Sequence, residues 1–291
     1  MAEKMLSVLQ TYNIETGERK VLKKFEEHIE APNWSADGKY LVYNSQGHIV
    51  KYILETGESI VIDTGKCTKC NNDHVLFPDG EHIGISAGTE EVKPSRVWVA
   101  SLKGGEPKLV TEKMPSYLHG VSPDGKTMAY CADRNGNFDV YTMNADGTGE
   151  EVRLTTAEGL DDGPEYSPDG QTIWFCSVRS GRMQVWKMGK DGNGQTQMTF
   201  DDANNWFAHI SPDNSKVVFV TYYPSEVAPG DHPANKNIRI RLMDAKGGEI
   251  KTLIATDASK GEKGGQGTMN VNSWAPDSKE FAFVTYEFVE A

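Results

Sequence analysis

Apolar residues in this chain fall in short runs that alternate with polar ones, the period-two pattern of β-strands, and clusters of Gly, Asp, Asn and Pro separate the runs. Examples are Lys39-Tyr40-Leu41-Val42-Tyr43, Thr127-Met128-Ala129-Tyr130-Cys131, Thr172-Ile173-Trp174-Phe175-Cys176, Val217-Val218-Phe219-Val220 and Glu280-Phe281-Ala282-Phe283-Val284. An aromatic or apolar residue followed by Ser-Pro-Asp-Gly, or a close variant, recurs before such runs. The copies are Trp34-Ser35-Ala36-Asp37-Gly38, Phe77-Pro78-Asp79-Gly80, Ser122-Pro123-Asp124-Gly125, Ser167-Pro168-Asp169-Gly170, Ser211-Pro212-Asp213-Asn214 and Trp274-Ala275-Pro276-Asp277-Ser278. Pro fixes φ, Asp caps its own backbone and Gly or Asn accepts a left-handed conformation, so each copy makes a tight turn between two strands. A third strand such as Val140-Tyr141-Thr142-Met143 follows, and a Gly-containing hairpin such as Asp146-Gly147 or Asp191-Gly192 leads to a fourth.

The motif returns about every 45 residues, with one longer step before the last copy, and this is the period of propeller blades. Six copies predict an all-β, six-bladed β-propeller spanning residues 1–291 as one domain. Only two strands' worth of sequence follow Asp277. Residues 6–12, the Thr16-Gly17 hairpin and residues 19–22 supply the missing pair, so the N-terminal strands close the last blade and leave no open sheet edge.

Composition narrows the function classes. A formal charge of -12 and a pI near 5.1 oppose phosphate backbones and anionic lipid, so neither nucleic acid nor a membrane surface is an expected partner. Residues 1–25 contain no apolar stretch of signal-peptide length, which sets the expectation of a cytoplasmic protein. Cys67 and Cys70 form a single CxxC without a second pair, read as a loop with two free thiols; Cys131 and Cys176 lie within apolar strands as small buried side chains.

The repeated Trp/Phe/Tyr-Ser-Pro-Asp-Gly turn resembles the TolB-like, WD40-like β-propeller repeat, and the resemblance covers nearly the whole chain. It implies the propeller fold, a scaffold that hosts many activities. Among similar propellers, the oligogalacturonate lyases use a histidine-bound divalent metal on the central face.

Strand order puts the blade-to-blade connections and the loops between second and third strands on the face opposite the Pro-Asp-Gly turns. Polar and aromatic residues collect there. His74, His119, His209 and Glu165 are candidate ligands for a divalent metal such as Mn, Zn or Ca, because neutral imidazoles and a carboxylate suit such ions. His119, His209, Glu165 and Arg179 are the catalytic candidates for a metal-assisted lyase or hydrolase step. Arg179 or Arg134 would neutralise a uronate carboxylate, and a histidine would act as base.

A small polar ligand, a saccharide or uronate derivative, is the expected partner. Asn72, Asp73, Asp162, Asn205 and Asn272 would bind hydroxyls, Tyr117 and Trp206 would stack on rings, and Arg134, His232 and Lys236 complete the set. His74 and His119 stand five residues before their turn Asp, whereas Glu165 and His209 stand four before theirs. Strand neighbours alternate faces, so all four point inward only if the strands start irregularly. Residues 222–237 form a long insertion, and the Gly-rich residues 261–267 read as a mobile flap over the same face. The rival reading, from a different class, is a non-enzymatic propeller that uses this face for a protein partner.

Overall fold

The six turns act as one repeated device in the computed structural model, which describes residues 3–290. The serine hydroxyl donates to the turn aspartate at Ser35–Asp37, Ser122–Asp124, Ser167–Asp169 and Ser211–Asp213, at 2.6–2.8 Å. The same oxygen accepts the backbone N–H that opens the next strand, from Tyr40, Thr127, Thr172 and Lys216. The final turn residue takes a positive φ in all six, including 60° at Asn214 and 62° at Ser278, the two positions without glycine.

In blades 1–5 each turn joins the inner two strands of a four-stranded antiparallel sheet, and six four-stranded sheets form the propeller. In chain order the strands of blade 1 are Ile29–Trp34, Tyr40–Ser45, His48–Ile53 and Ser59–Ile62; blade 2 runs from Lys69–Leu76 to Lys108–Leu109. Blade 3 runs from Ser116–Val121 to Val152–Arg153, blade 4 from Asp161–Tyr166 to Thr196–Gln197, and blade 5 from Asn204–Ile210 to Lys251–Ala255. Blade 6 combines Glu280–Glu290 with Glu3–Asn13 and Arg19–Phe25, so the expected closure by N-terminal strands is present.

The pleat explains why the second strands are apolar on both sides. Leu41 and Tyr43 pack with Leu9, Ala282 and Tyr286 of blade 6, while Tyr40 and Val42 pack with Ile83, Ile85 and Trp98 of blade 2. Burying both sheet faces makes each blade depend on two neighbours.

Blade 6 departs from the repeat. Its inner edge is broken: Glu262–Lys263 pairs with the far end of Glu280–Glu290, and residues 268–274 return beside it with a single bridge, Trp274 to Phe281. The residues expected to form a mobile flap are therefore pinned. Gly261 O accepts from Phe288 N, and Lys236 and Gly264 exchange two backbone hydrogen bonds at 2.8 and 2.9 Å. No helix among the described residues is long and apolar enough to cross a membrane. Cys67 and Cys70 are free and buried, and burial pushes their thiols up to about 11 and about 12.

Candidate functional site

The phase problem posed by the histidines is resolved by bulges. Each inner strand of blades 1–5 carries a register break: between Glu30 and Asn33, Cys70 and His74, Leu118 and Gly120, Asp162 and Glu165, and Trp206 and His209. A bulge re-aims side chains by inserting an unpaired residue. Ala31, Gly163 and Phe207, within these breaks, have φ of 54°, 62° and 53°. The polar residues are thereby divided into two groups.

Residues beyond the bulges stitch neighbouring blades together. Glu165 accepts hydrogen bonds from Ile210 N (3.0 Å) and Asn272 Nδ2 (2.6 Å), and its second oxygen bonds His209 Nδ1 at 2.6 Å. His209 Nε2 donates to Met269 O at 3.1 Å, so both its ring nitrogens are occupied. Asn33 repeats the arrangement between blades 1 and 2, accepting from Leu76 N at 2.7 Å. His74 is fully buried with no partner on either nitrogen among the described residues, and burial pulls its pKa down to about 4, leaving it neutral.

Residues before and within the bulges line a cavity of about 560 Å³ on the central face. His119 forms its base: Nδ1 faces Asn270 O at 3.4 Å, and Nε2 lies 3.3 Å from Asp162 Oδ1 and 3.7 Å from Asp73 Oδ1. Burial alone disfavours the imidazolium, but Asp73 and Asp162 outweigh it and hold the His119 pKa up at about 9. Burial also raises the Asp162 carboxyl, yet His119 and the Gly163 N–H bring it below its usual value. Asp73 goes the other way: burial, with the charges of Asp162 and Glu30, pushes it up to about 6 despite His119.

Two aromatic walls and a roof complete the cavity. Phe207 stacks on His119 at 5.7 Å, and Tyr117 lies 6.3 Å from Phe138. His232, from the insertion between strands two and three of blade 5, sits 4.3 Å from the Trp206 ring and bonds Gln266 from blade 6. Gln266 Nε2 reaches Asn72 Oδ1 (3.3 Å), and Asn72 Nδ2 donates to Glu30 (3.2 Å), so a hydrogen-bonded rim runs across blades 5, 6, 2 and 1.

Because His119 gains protons on folding, stability from this group is fully present below its unfolded pKa near 6.5 and is lost as pH rises through about 9. Urea melts of wild type and His119→Gln should diverge in slope across that interval, with wild type losing stability and the variant staying flat. Parallel curves would show that His119 carries no extra proton in the native state.

Of the expected ligand-binding residues, the cavity gathers Asn72, Asp73, Tyr117, Asp162 and His232 around His119. The others lie outside it. Arg134 is held by Glu151 at 2.6 Å and by Pro115 O and Ser116, and Arg179 by Asp161 at 2.6 Å, Ser177 and Gln195. Asn205 is buried against Gln184, Asp201 and Thr221; Asn272 bonds Glu165 and Ile210 O; Lys236, whose backbone bridges to Gly264, is not among the lining residues. Trp206 is buried behind the site, against the rings of His232 and Phe207.

The four expected metal ligands are likewise not assembled, because His74 is isolated, Glu165 binds His209, and His119 binds Asp162. Among the described residues no three His, Cys, Asp or Glu side chains are placed to hold a metal ion.

Glu30, Phe207, Gln266 and Asn270 line the cavity without having been singled out as binding residues. A signal for two of them was available. The residue seven places before each turn aspartate is Glu30, Asn72, Tyr117, Asp162, Trp206 and Asn270, and five of these six line the cavity. Register within the repeat, rather than residue type, marks the site.

Residues 78–264 match the family model described as the TolB beta propeller domain. An uncharacterized protein of Agrobacterium fabrum is 45% identical over 287 residues, covering 98% of this chain and 94% of that one. A solved structure of a putative TolB from Agrobacterium tumefaciens superposes with a TM-score of 0.90 at 43% identity, over 99% of both chains. An oligogalacturonate lyase solved in complex with manganese matches with a TM-score of 0.56 at 12% identity, over 98% of this chain and 97% of that one, a likeness of fold alone.

Proposed function

We propose, from the premise that this chain belongs to the TolB β-propeller family, that it is a binding propeller whose central cavity takes a small polar, polyhydroxylated ligand of saccharide size. The observation that carries this reading is the cavity itself: about 560 Å³, walled by Phe207, Tyr117 and Phe138, with Asp73, His119, Asp162 and Asn72 converging on it. Acceptors and donors at the base suit hydroxyl groups, and the aromatic walls suit the apolar faces of a sugar ring. Arg179, His209 and Glu165, which a lyase or hydrolase step would need beside His119, lie outside the cavity, so the reading is one of binding. Free, buried cysteines accord with a reducing, cytoplasmic setting.

A protein partner on this face would call for an extended apolar groove, whereas the cavity is roofed by His232 and Gln266 and has a charged base. A melting-shift screen of mono- and oligosaccharides, followed by calorimetry, tests the proposal. Tyr117 is a half-buried wall residue, so Tyr117→Ala should weaken a bound sugar by about tenfold, or ~1.4 kcal/mol, while leaving the melting temperature nearly unchanged. Equal affinity in that variant would place the ligand somewhere other than this cavity.

A further inference from the structure

The proposed cavity has a charge asymmetry that narrows its ligand. Three carboxylates, Glu30, Asp73 and Asp162, line it, and no lysine or arginine does. Two of the three are satisfied within the protein. Glu30 accepts from Asn44 Nδ2 at 2.8 Å and Asn72 Nδ2 at 3.2 Å and lies 3.2 Å from His28 Nε2; Asp162 accepts from Gly163 N at 2.7 Å and faces His119 at 3.3 Å. Asp73 differs. It is 6% exposed, its carboxylate accepts no hydrogen bond from any described residue, and its nearest cationic atom is His119 Nε2 at 3.7 Å.

A carboxylate so nearly buried and so poorly bonded costs stability unless something else donates to it. A molecule that fills this need brings a donor-rich cation to Asp73. The volume and the Phe207 and Tyr117 walls call for an organic cation rather than a bare ion.

Resting on the binding reading above, we propose that the cavity selects an amine-bearing polyol, such as an amino sugar, with its ammonium group on Asp73. A uronate is the ligand this arrangement disfavours, because its carboxylate would meet Asp73, Asp162 and Glu30 with Arg134 and Arg179 engaged elsewhere.

Calorimetric titration of the full chain in EDTA with glucosamine, glucose and glucuronate tests this, since the three share a ring and differ in charge. Glucosamine should bind at least tenfold more tightly than glucose, glucuronate should bind weakest, and Asp73→Asn should abolish the glucosamine advantage. If that variant does not fold, the order among the three probes with wild type decides. Glucose equal to glucosamine, or glucuronate bound best, overturns the charge selection while leaving the polyol cavity standing. Absence of binding by all three at about 10 mM, weaker than any specific small-molecule site of this kind, overturns both.

Discussion

Removal of residues 1–25 is expected to yield a protein that aggregates or melts far below the full chain, with a loss of about 5 kcal/mol or more. That is a large share of the ~5–15 kcal/mol that holds a domain folded. The paired register runs without interruption from Glu3 opposite Glu290 to Asn13 opposite Glu280, and Arg19–Phe25 adds the outermost strand. Val8, Leu9 and Phe25 are buried, the latter two against Tyr43, Tyr52 and Val284. Truncation would therefore open a long apolar edge and strip blade 1 of one of its two supports. Size-exclusion chromatography and thermal denaturation provide the check. A monomeric truncated chain with the parental melting temperature would mean that blade 6 holds together without its N-terminal half.

Replacement of Glu165 by Ala should cost about 3 kcal/mol or more, because it leaves His209 Nδ1, the Ile210 N–H and the Asn272 amide without their buried acceptor. Glu165→Gln should recover part of that loss, since an amide oxygen still accepts one of those bonds. The expectation is tied to structure, not to ligand: affinity measured below the melting transition should stay close to wild type. A change under about 1 kcal/mol in urea denaturation would remove Glu165 from the set of groups that fasten blade 4 to blade 5.

The blades were legible because the Ser-Pro-Asp-Gly signal is local and covalently encoded. Pro, a hydroxyl that bonds Asp, and a residue tolerant of positive φ shape the chain wherever they occur in that order. Closure could be read by counting strands at the two ends. The site was legible only in part. Polar inner-strand residues were visible, but whether each lines the cavity or fastens two blades depends on the bulge between them. A bulge such as Ala31 or Phe207 at positive φ leaves no mark in residue type.

His74, His209 and Glu165 look like ligands in a sequence because their chemistry is versatile; in space His209 and Glu165 bond each other across blades 4 and 5, and His74 is buried without a polar partner among the described residues. Arg134 and Arg179 are engaged away from the cavity, which their sequence neighbourhood does not reveal. Each has an acidic partner, Glu151 or Asp161, whose proximity arises from strand pairing across the blade and not from nearness in sequence. The insertion at residues 261–267 reads as loose because glycine is permissive, yet backbone bonds to Lys236 and Phe288 fix it.

The pairing of Glu3–Asn13 with Glu280–Glu290 also fixes how the molecule answers to force. The strands are antiparallel, and residues 3 and 290 meet at the same end of the pair. Tension applied through the two chain ends would thus load one rung at a time, peeling the seam like a zipper instead of shearing all its rungs together. Forced unfolding follows the rate of that first opening rather than the equilibrium stability of the whole. A ring whose blades interlock through packed sheet faces has, along its single seam, a direction in which it is mechanically weak.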